Sequence, residues 1–139
     1  MRAVPSRERG APMTKTVIAS AAAPAAVGPY SAGIDAGATV YLSGQLGLNP
    51  ETGTLAEGVE AQARQSLANV GALLEAAGLT YADVVKTTVL LADISDFAAV
   101  NAVYAEVFPE PFPARSCFAV GALPMGGLVE IEVIAQRAQ

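Results

Sequence analysis

The chain has 139 residues, of which 53% are hydrophobic and 15% charged, and its formal net charge is −5. This length fits one domain with one core, and no apolar run reaches the roughly 20 residues of a membrane span, so we expect a soluble protein. The sequence has no histidine and one cysteine, which excludes Ser-His and Cys-His nucleophile pairs, the usual zinc sites and an internal disulfide.

The distribution of charge and the single cysteine limit the partners and the compartment. Four of the eight Lys and Arg residues lie among the first 15 positions, and the other four are scattered along the chain. Because nucleic acids are bound by clusters of Lys and Arg, DNA or RNA binding is disfavoured. A lone cysteine fits a reducing compartment, and we expect a cytoplasmic protein.

The N-terminal segment differs from the rest of the chain. Residues 1–12 are polar, contain two prolines and show no periodicity, which predicts a disordered extension before a single domain over residues 13–139. An upstream start codon or a weak organellar presequence would also explain this segment, although it lacks the apolar core of a secretory signal. The domain then begins with a strand over residues 16–19.

The first half of the domain predicts two more strands and a long helix. Residues 31–34 and 39–45 have the pattern of strands, joined by a turn at Asp35-Ala36-Gly37. Apolar residues then recur every three to four positions and predict an amphipathic helix that ends at Gly78. These positions are Val59, Ala63, Leu67, Val70, Leu74 and Ala77.

The second half predicts a strand, a helix and two further strands. Residues 84–91 are apolar and rich in β-branched side chains, which indicates a buried strand. Asp93 or Ser95 can cap the second helix, and Pro109 stops it. The apolar face of that helix carries Phe97, Val100, Tyr104 and Val107. The final strands are predicted over residues 114–120 and 128–135.

The element order β-β-β-α-β-α-β-β predicts an α+β domain of two layers. A mixed, mostly antiparallel sheet would carry both helices on one face. The sequence offers no helix for the other face, and an exposed apolar sheet face of that size would aggregate. We therefore expect an obligate homo-oligomer with ligand sites in the clefts between its subunits.

An arginine in an apolar strand is the most informative feature of the sequence. It lies in the segment Phe112-Pro113-Ala114-Arg115-Ser116-Cys117. A guanidinium is always charged and offers a rigid fork to a carboxylate, so Arg115 needs an anion there. Two interpretations follow: a structural ion pair with Glu130 or Glu132, which share one face of the last strand, or a clamp for the carboxylate of a small ligand.

The positions of Arg115 and Glu130 raise a question of parity. In a plain hairpin of the last two strands, with residues 123–127 as its loop, the two side chains lie on opposite faces of the sheet. A bulge, a different register or contributions from two subunits would be required to bring them into one cleft. The sequence leaves these three possibilities open.

Four other positions admit both a structural and a functional interpretation. Cys117 shares a face with Arg115 and is either a nucleophile stabilised by that charge or a small apolar filler. Tyr30 is either an amphipathic filler or a lid and hydrogen-bond donor. Asn101, taken alone, is predicted to be a surface residue on the polar side of the second helix. Ser43-Gly44-Gln45 can expose backbone N–H groups to a ligand because glycine permits close approach.

From about Thr14 to its C-terminus, the chain resembles the Rid family (also called the YjgF family) of reactive intermediate deaminases, and most closely the RidA branch. The arginine segment followed by the late Glu-Ile-Glu is the specific part of this resemblance. The segments that carry it are Gly28-Pro29-Tyr30-Ser31, Leu42-Ser43-Gly44-Gln45, Ala63-Arg64-Gln65-Ser66-Leu67-Ala68-Asn69-Val70, Val85-Lys86-Thr87-Thr88-Val89, Phe112-Pro113-Ala114-Arg115-Ser116-Cys117 and Glu130-Ile131-Glu132.

The resemblance implies a chorismate-mutase-like fold, a homotrimer with active sites between subunits, and no cofactor or metal. Members of this branch hydrolyse 2-imino acids or their enamine tautomers, such as 2-iminobutanoate, 2-iminopropanoate and 2-aminoacrylate, to 2-keto acids and ammonia. On the matching positions, Arg115 would hold the substrate carboxylate, and Glu130 would position the attacking water with help from the backbone around Cys117. The remaining pocket residues would be Tyr30, Ser43, Gly44 and Asn101.

The residues agree with this activity but leave rivals. Imines hydrolyse spontaneously, so orientation and one general acid/base are sufficient without histidine, metal or cofactor. A non-catalytic module that senses a keto acid or amino acid would need Arg115 but no base at Glu130. A ribonuclease or translation inhibitor is opposed by the acidic charge and the missing histidine. A chaperone-like surface would tolerate the loss of Arg115.

Overall fold

The computed structural model describes residues 15–138, so the predicted extension over residues 1–12 lies outside the described part of the chain. The described residues confirm the predicted order of strands and helices. The strands are β1 (Thr16–Ile18), β2 (Gly33–Asp35), β3 (Thr39–Leu46), β4 (Val84–Leu91), β5 (Ala114–Ala119) and β6 (Val129–Gln136). The helices are α1 (Val59–Ala76) and α2 (Phe97–Val107).

The strands form one sheet in the order β1-β2-β3-β6-β4-β5. Strands β4 and β5 are parallel, and every other neighbouring pair is antiparallel, which confirms a mixed, mostly antiparallel sheet. The last two strands are not a hairpin, because β4 lies between β5 and β6. Helix α2 carries the chain from the end of β4 back to the start of β5, and such a crossover produces a parallel pair.

Helix α1 stops at the predicted glycine, whereas the predicted cap Asp93 lies one short turn before α2 begins. Gly78 follows α1 with a φ of 76°, a left-handed conformation that glycine adopts without steric cost. The Asp93 side chain accepts a hydrogen bond of 2.9 Å from the Ser95 N–H and so caps the short turn Ile94–Asp96, which leads into α2. The N-cap residue of α2 itself, Asp96, makes no side-chain capping hydrogen bond.

The helices pack on one face of the sheet. In β4 this face carries Thr87, Val89 and Leu91, all fully buried. Their register partners in β6, among them Ile131 and Val133, are buried as well. Strict alternation along both strands therefore separates a helix-covered face from a second face, as the apolar pattern predicted.

The second face of the sheet is not covered by either described helix. A row of apolar side chains crosses it from β1 to β6, where Val17, Ile34, Tyr41 and Ile134 are successive register partners. Tyr41 in β3 is 49% exposed, and Phe118 in β5, on the same face, is 48% exposed. We call this surface the open face.

A polar stripe on α1 holds the end of β3. Ser66 donates a hydrogen bond of 2.6 Å to the carbonyl of Gln45, and the Asn69 amide donates to the carbonyls of Leu46 and Leu48 at 3.1 and 2.9 Å. Both side chains are fully buried. Buried carbonyls need such partners, so the helix supplies the bonds that the sheet does not make there.

Candidate functional site

Arg115 leaves β5 on the helix-covered face and lies against α2. Its Nη1 donates a hydrogen bond of 2.6 Å to the Asn101 Oδ1. Its Cζ lies 4.9 Å from the centre of the Tyr104 ring and 5.5 Å from the centre of the Phe97 ring. Aromatic faces attract a guanidinium without neutralising it, so the charge is oriented and remains available.

No carboxylate of the described residues pairs with Arg115. The ion pairs in this part of the chain join Arg64 to Glu60 and Glu106, and Arg137 to Asp35. The structural ion pair between Arg115 and a glutamate of its own chain is therefore absent from residues 15–138.

A cavity opens beside the guanidinium. Its volume is about 460 Å³, and its lining includes Arg115, Asn101, Tyr104, Phe112 and Pro113. Arg115 pairs with no carboxylate of the described residues, and a cation of this kind beside a mainly apolar cavity is suited to a small organic anion.

Asn101 is partly exposed on α2, and its amide oxygen also holds Arg115, a contact that its assignment as a surface residue did not include. Sequence reasoning also missed the two aromatic neighbours of the guanidinium, since Phe97 and Tyr104 were assigned only to the apolar face of the helix. A signal was present: Phe97, Asn101 and Tyr104 are spaced four and three residues apart, so they share one stripe of α2.

Cys117 lies two residues beyond Arg115 on the same face and is partly buried. Burial raises the pKa of its thiol above the usual range, and the charge of Arg115 offsets only part of this effect. A nucleophilic cysteine needs a lowered pKa. The structure thus favours the interpretation of Cys117 as a small apolar filler.

Glu130 lies on the open face of β6, where its carboxyl is about half-buried. Burial raises the pKa of this carboxyl above its usual range, and the nearby charge of Glu132 raises it further. A raised pKa brings a carboxyl closer to the range in which it can accept and return a proton near neutral pH. Glu130 is therefore a candidate for proton transfer.

A bulge in β3 makes room for the Glu130 side chain. Between Leu42 and Gln45 the register with β6 shifts by one residue, so Ser43 and Gly44 stand opposite Glu132 alone. A Cβ on Gly44 would lie 2.9 Å from the Glu130 Cδ. Glycine is therefore required at this position for the carboxylate to keep its place.

Ser43 and Tyr30 complete the surroundings of the bulge in different ways. The Ser43 hydroxyl donates a hydrogen bond of 2.7 Å to the Ser31 carbonyl, which connects the bulge to the preceding segment. Tyr30 is 54% exposed and lines a cavity of about 350 Å³ with Gly44 and Glu130. Gly44, Tyr30 and Glu130 are therefore brought together, whereas Ser43 is turned toward the backbone.

The predicted site residues thus form two groups on opposite sides of one sheet. The cation group, Arg115 with Asn101 and Cys117, lies on the helix-covered face of β5. The carboxylate group, Glu130 with Tyr30 and Gly44, lies on the open face. Arg115 and Glu130 do lie on opposite faces of the sheet, as the plain hairpin predicted. The hairpin itself is wrong, because β4 lies between β5 and β6.

Residues 15–138 contain no group of three or more Cys, Asp or Glu placed to hold a metal ion. No helix in the same range combines the length and apolar character needed to cross a bilayer.

The mixed six-stranded sheet with two helices on one face makes this chain a small two-layer α+β protein. The family model described as Endoribonuclease L-PSP matches residues 20–137. A 2-iminobutanoate/2-iminopropanoate deaminase of Salmonella typhimurium is 56% identical over 128 residues, which cover 90% of this chain and 99% of that protein.

Solved structures share both the sequence and the fold. RidA from the Antarctic bacterium Psychrobacter is 52% identical with a TM-score of 0.86, covering 88% of this chain and 99% of its own. The E. coli protein TdcF, solved with bound serine, is 45% identical with a TM-score of 0.86, covering 89% of this chain and 100% of its own. The chain belongs to the Endoribonuclease L-PSP family, and its deaminase relatives confirm the predicted resemblance to the Rid family.

Proposed function

We propose that this chain is a 2-iminobutanoate/2-iminopropanoate deaminase, which hydrolyses reactive 2-imino acids to 2-keto acids and ammonia. The observation that carries this proposal is the free guanidinium of Arg115, held by a neutral amide beside a cavity of about 460 Å³. The deaminase names of relatives that are more than 50% identical over most of the chain agree with it.

Arg115 is proposed to bind the substrate carboxylate. A 2-imino acid has one carboxylate, and a single guanidinium fork matches it with two parallel hydrogen bonds. The serine bound to the E. coli relative is likewise a small molecule with one carboxylate. Asn101 and the aromatic rings orient the fork before the substrate arrives, which lowers the entropy lost on binding.

Glu130 is proposed to be the general base. Its carboxylate would accept a proton from a water molecule as the water oxygen bonds to the imine carbon. The C=N π electrons would move to the nitrogen, which takes up this proton from the carboxylate to give a carbinolamine. The hydroxyl proton would then pass through the same carboxylate to the nitrogen as the C–N bond breaks, ammonia leaves and the carbon–oxygen double bond forms. No electrons leave the system, so the reaction needs only orientation and proton transfer.

The two groups would meet between subunits of a homotrimer. Arg115 and Glu130 of one chain lie on opposite faces of its sheet, so each would meet its counterpart across a subunit contact. The apolar row on the open face supports such a contact, because its burial would remove Val17, Ile34 and Tyr41 from water. We expect a particle of three times the 14.1 kDa of the chain in sedimentation equilibrium.

The activity is tested by coupling the protein to a threonine dehydratase, which releases 2-iminobutanoate. Adding the protein should accelerate the appearance of 2-ketobutyrate, whereas heat-denatured protein should not. Equal rates with and without folded protein would contradict the proposal.

The shared site is tested by subunit mixing. Arg115→Ala and Glu130→Gln should each be inactive as pure trimers. In randomly mixed trimers about a quarter of the clefts combine an intact arginine with an intact glutamate, so about a quarter of wild-type activity should return. If mixed trimers, verified by native mass spectrometry, remain inactive, the two residues do not act across subunits.

The family description makes ribonuclease activity a second candidate. The net charge of −5 and the absence of histidine oppose it. We expect no RNA binding that weakens steeply with salt, and a filter-binding titration at low and high salt checks this. For its location we propose the cytoplasm, whose reducing conditions suit a lone cysteine.

A further inference from the structure

A buried hydrogen bond lies directly behind the guanidinium of Arg115. The hydroxyls of Thr87 and Tyr104 are 2.7 Å apart. Thr87 is fully buried, and Tyr104 is 5% exposed. The catalytic roles proposed above do not use this buried polar contact.

The sheet register connects this hydrogen bond to the cation. Thr87 of β4 is the register partner of Arg115 on the parallel strand β5, so the two side chains leave the sheet side by side on the same face. The Tyr104 hydroxyl turns inward to Thr87, while its ring lies 4.9 Å from the Arg115 Cζ. One tyrosine therefore contacts a core hydroxyl at its tip and the guanidinium at its face.

The contact restricts the tyrosine ring. Phe108 packs against Tyr104 with 4.5 Å between ring centres, and the hydroxyl bond adds a directional restraint that apolar packing does not provide. Without that bond the buried hydroxyl of either residue would lack its partner, and the ring would have reason to shift. Any shift of the ring would move the surface on which the guanidinium rests.

We propose that Thr87 and Tyr104 are positioning residues that set the orientation of the Arg115 fork through their shared hydrogen bond. This rests on the proposed function, in which Arg115 binds the carboxylate of a 2-imino acid. Asn101 holds one edge of the fork and Tyr104 supports its face, so Thr87 controls carboxylate binding from inside the core without touching the ligand.

Variants on both sides of the bond test the proposal. Thr87→Val keeps the shape of the side chain but removes its hydroxyl, and Tyr104→Phe removes the other hydroxyl. We expect each to weaken binding of the probe 2-ketobutyrate by about fivefold in isothermal titration calorimetry, as loss of one hydrogen bond would. The double variant should be no weaker than either single one, because all three lack the same bond.

Two further variants separate positioning from stability. Tyr81→Phe is the matched control: its hydroxyl also makes a 2.7 Å bond, to the Leu67 carbonyl, and its ring also contacts Phe108, but it is not among the rings that face Arg115. It should lower the melting temperature and leave binding of 2-ketobutyrate unchanged. Thr87→Ser restores the hydroxyl and should restore binding.

The kinetic signature is a rise in KM with little change in kcat, because the carboxylate is held equally in the ground state and the transition state. The inference is overturned if Tyr104→Phe binds 2-ketobutyrate as the wild type does, or if Tyr81→Phe weakens binding equally. Arg115→Ala is measured in parallel: if it also binds normally, the proposed function fails, whereas its failure to bind beside a normal Tyr104→Phe rejects only the positioning role.

Discussion

The cation group and the carboxylate group are built in different ways. Arg115 and the residues around it come from one continuous unit, the strand–helix–strand segment of β4, α2 and β5. Glu130 instead depends on Tyr30 and Gly44, which come from the other end of the chain. The contacts of the cation group join residues that are close in sequence, whereas those of the carboxylate group form only when distant strands have paired.

The two groups also differ in their electrostatics. Arg115 is exposed, and a neutral amide is its hydrogen-bond partner. Glu130 is half-buried beside another acidic residue, and both effects hold its pKa above the usual range. The cation group would therefore bind an anion. The raised pKa of Glu130 would make its carboxylate a better proton acceptor in the proposed reaction.

Removing the cation should have the largest effect. We expect Arg115→Ala to bring imine hydrolysis down to the rate without protein, since the charged two-pronged contact that binds the substrate carboxylate is lost. Its melting temperature should change little, because the residue is exposed. Arg64→Ala is the matched control: it removes an exposed arginine that pairs with Glu60 of α1 and with Glu106 near the end of α2 but does not line the cavity beside Arg115, and it should keep full activity. Wild-type rates in Arg115→Ala would refute the clamp.

Neutralising the Glu130 carboxylate should lower kcat more than it weakens ligand binding. Glu130→Gln keeps the shape of the side chain but cannot accept a proton, so kcat should fall by about 10²–10⁴-fold while 2-ketobutyrate still binds. Because folding raises the pKa of Glu130, its ionisation reduces stability as pH rises from the usual glutamate pKa toward the raised value. The variant should therefore melt at a higher temperature than the wild type at neutral pH, and a lower one would contradict this.

Filling the bulge should displace the carboxylate without unfolding the sheet. In Gly44→Ala the new methyl would meet the flexible end of the Glu130 side chain at 2.9–3.0 Å, which can swing away. We expect kcat to fall about tenfold to a hundredfold through misplacement of the base. Gly121→Ala, where an added Cβ meets nothing within 4 Å, is the control for both activity and melting. Equal activity in the two variants would show that the close approach has no role.

The smallest effect is expected at the neighbouring carboxylate. Glu132→Gln removes a like charge that raises the pKa of Glu130, so this pKa should fall. The acid limb of the kcat/KM profile, where activity appears as Glu130 ionises, should then move to lower pH. A shift to higher pH, or none, would show that Glu132 does not act on the base.

Sequence alone predicted the features that depend on short-range periodicity. The alternation of Glu130 and Glu132 with Ile131 and Val133 gave the correct faces of β6, and the spacing of apolar residues gave both helices. The bulge at Ser43 and Gly44 was not predicted, because the change of phase that it causes falls on Ser43, Gly44 and the polar Gln45, where no apolar side chain marks it.

The apolar pattern of the sequence also could not predict features that depend on packing between strands and helices. The last two strands were treated as a hairpin, since neighbours in sequence usually pair, but the helix between β4 and β5 changes the strand order. The contact of Asn101 with Arg115 depends on how α2 is rotated against β5. That rotation is set by the fit of buried side chains rather than by the helix itself.

Because Asn101 carries no charge, it does not cancel the attraction between Arg115 and an anion in contact with it. The range of this attraction is nevertheless short. At physiological ionic strength a charge is screened within about 8 Å, whereas the molecule as a whole carries −5. An approaching anion therefore gains no long-range guidance, and its capture rate should respond only mildly to added salt.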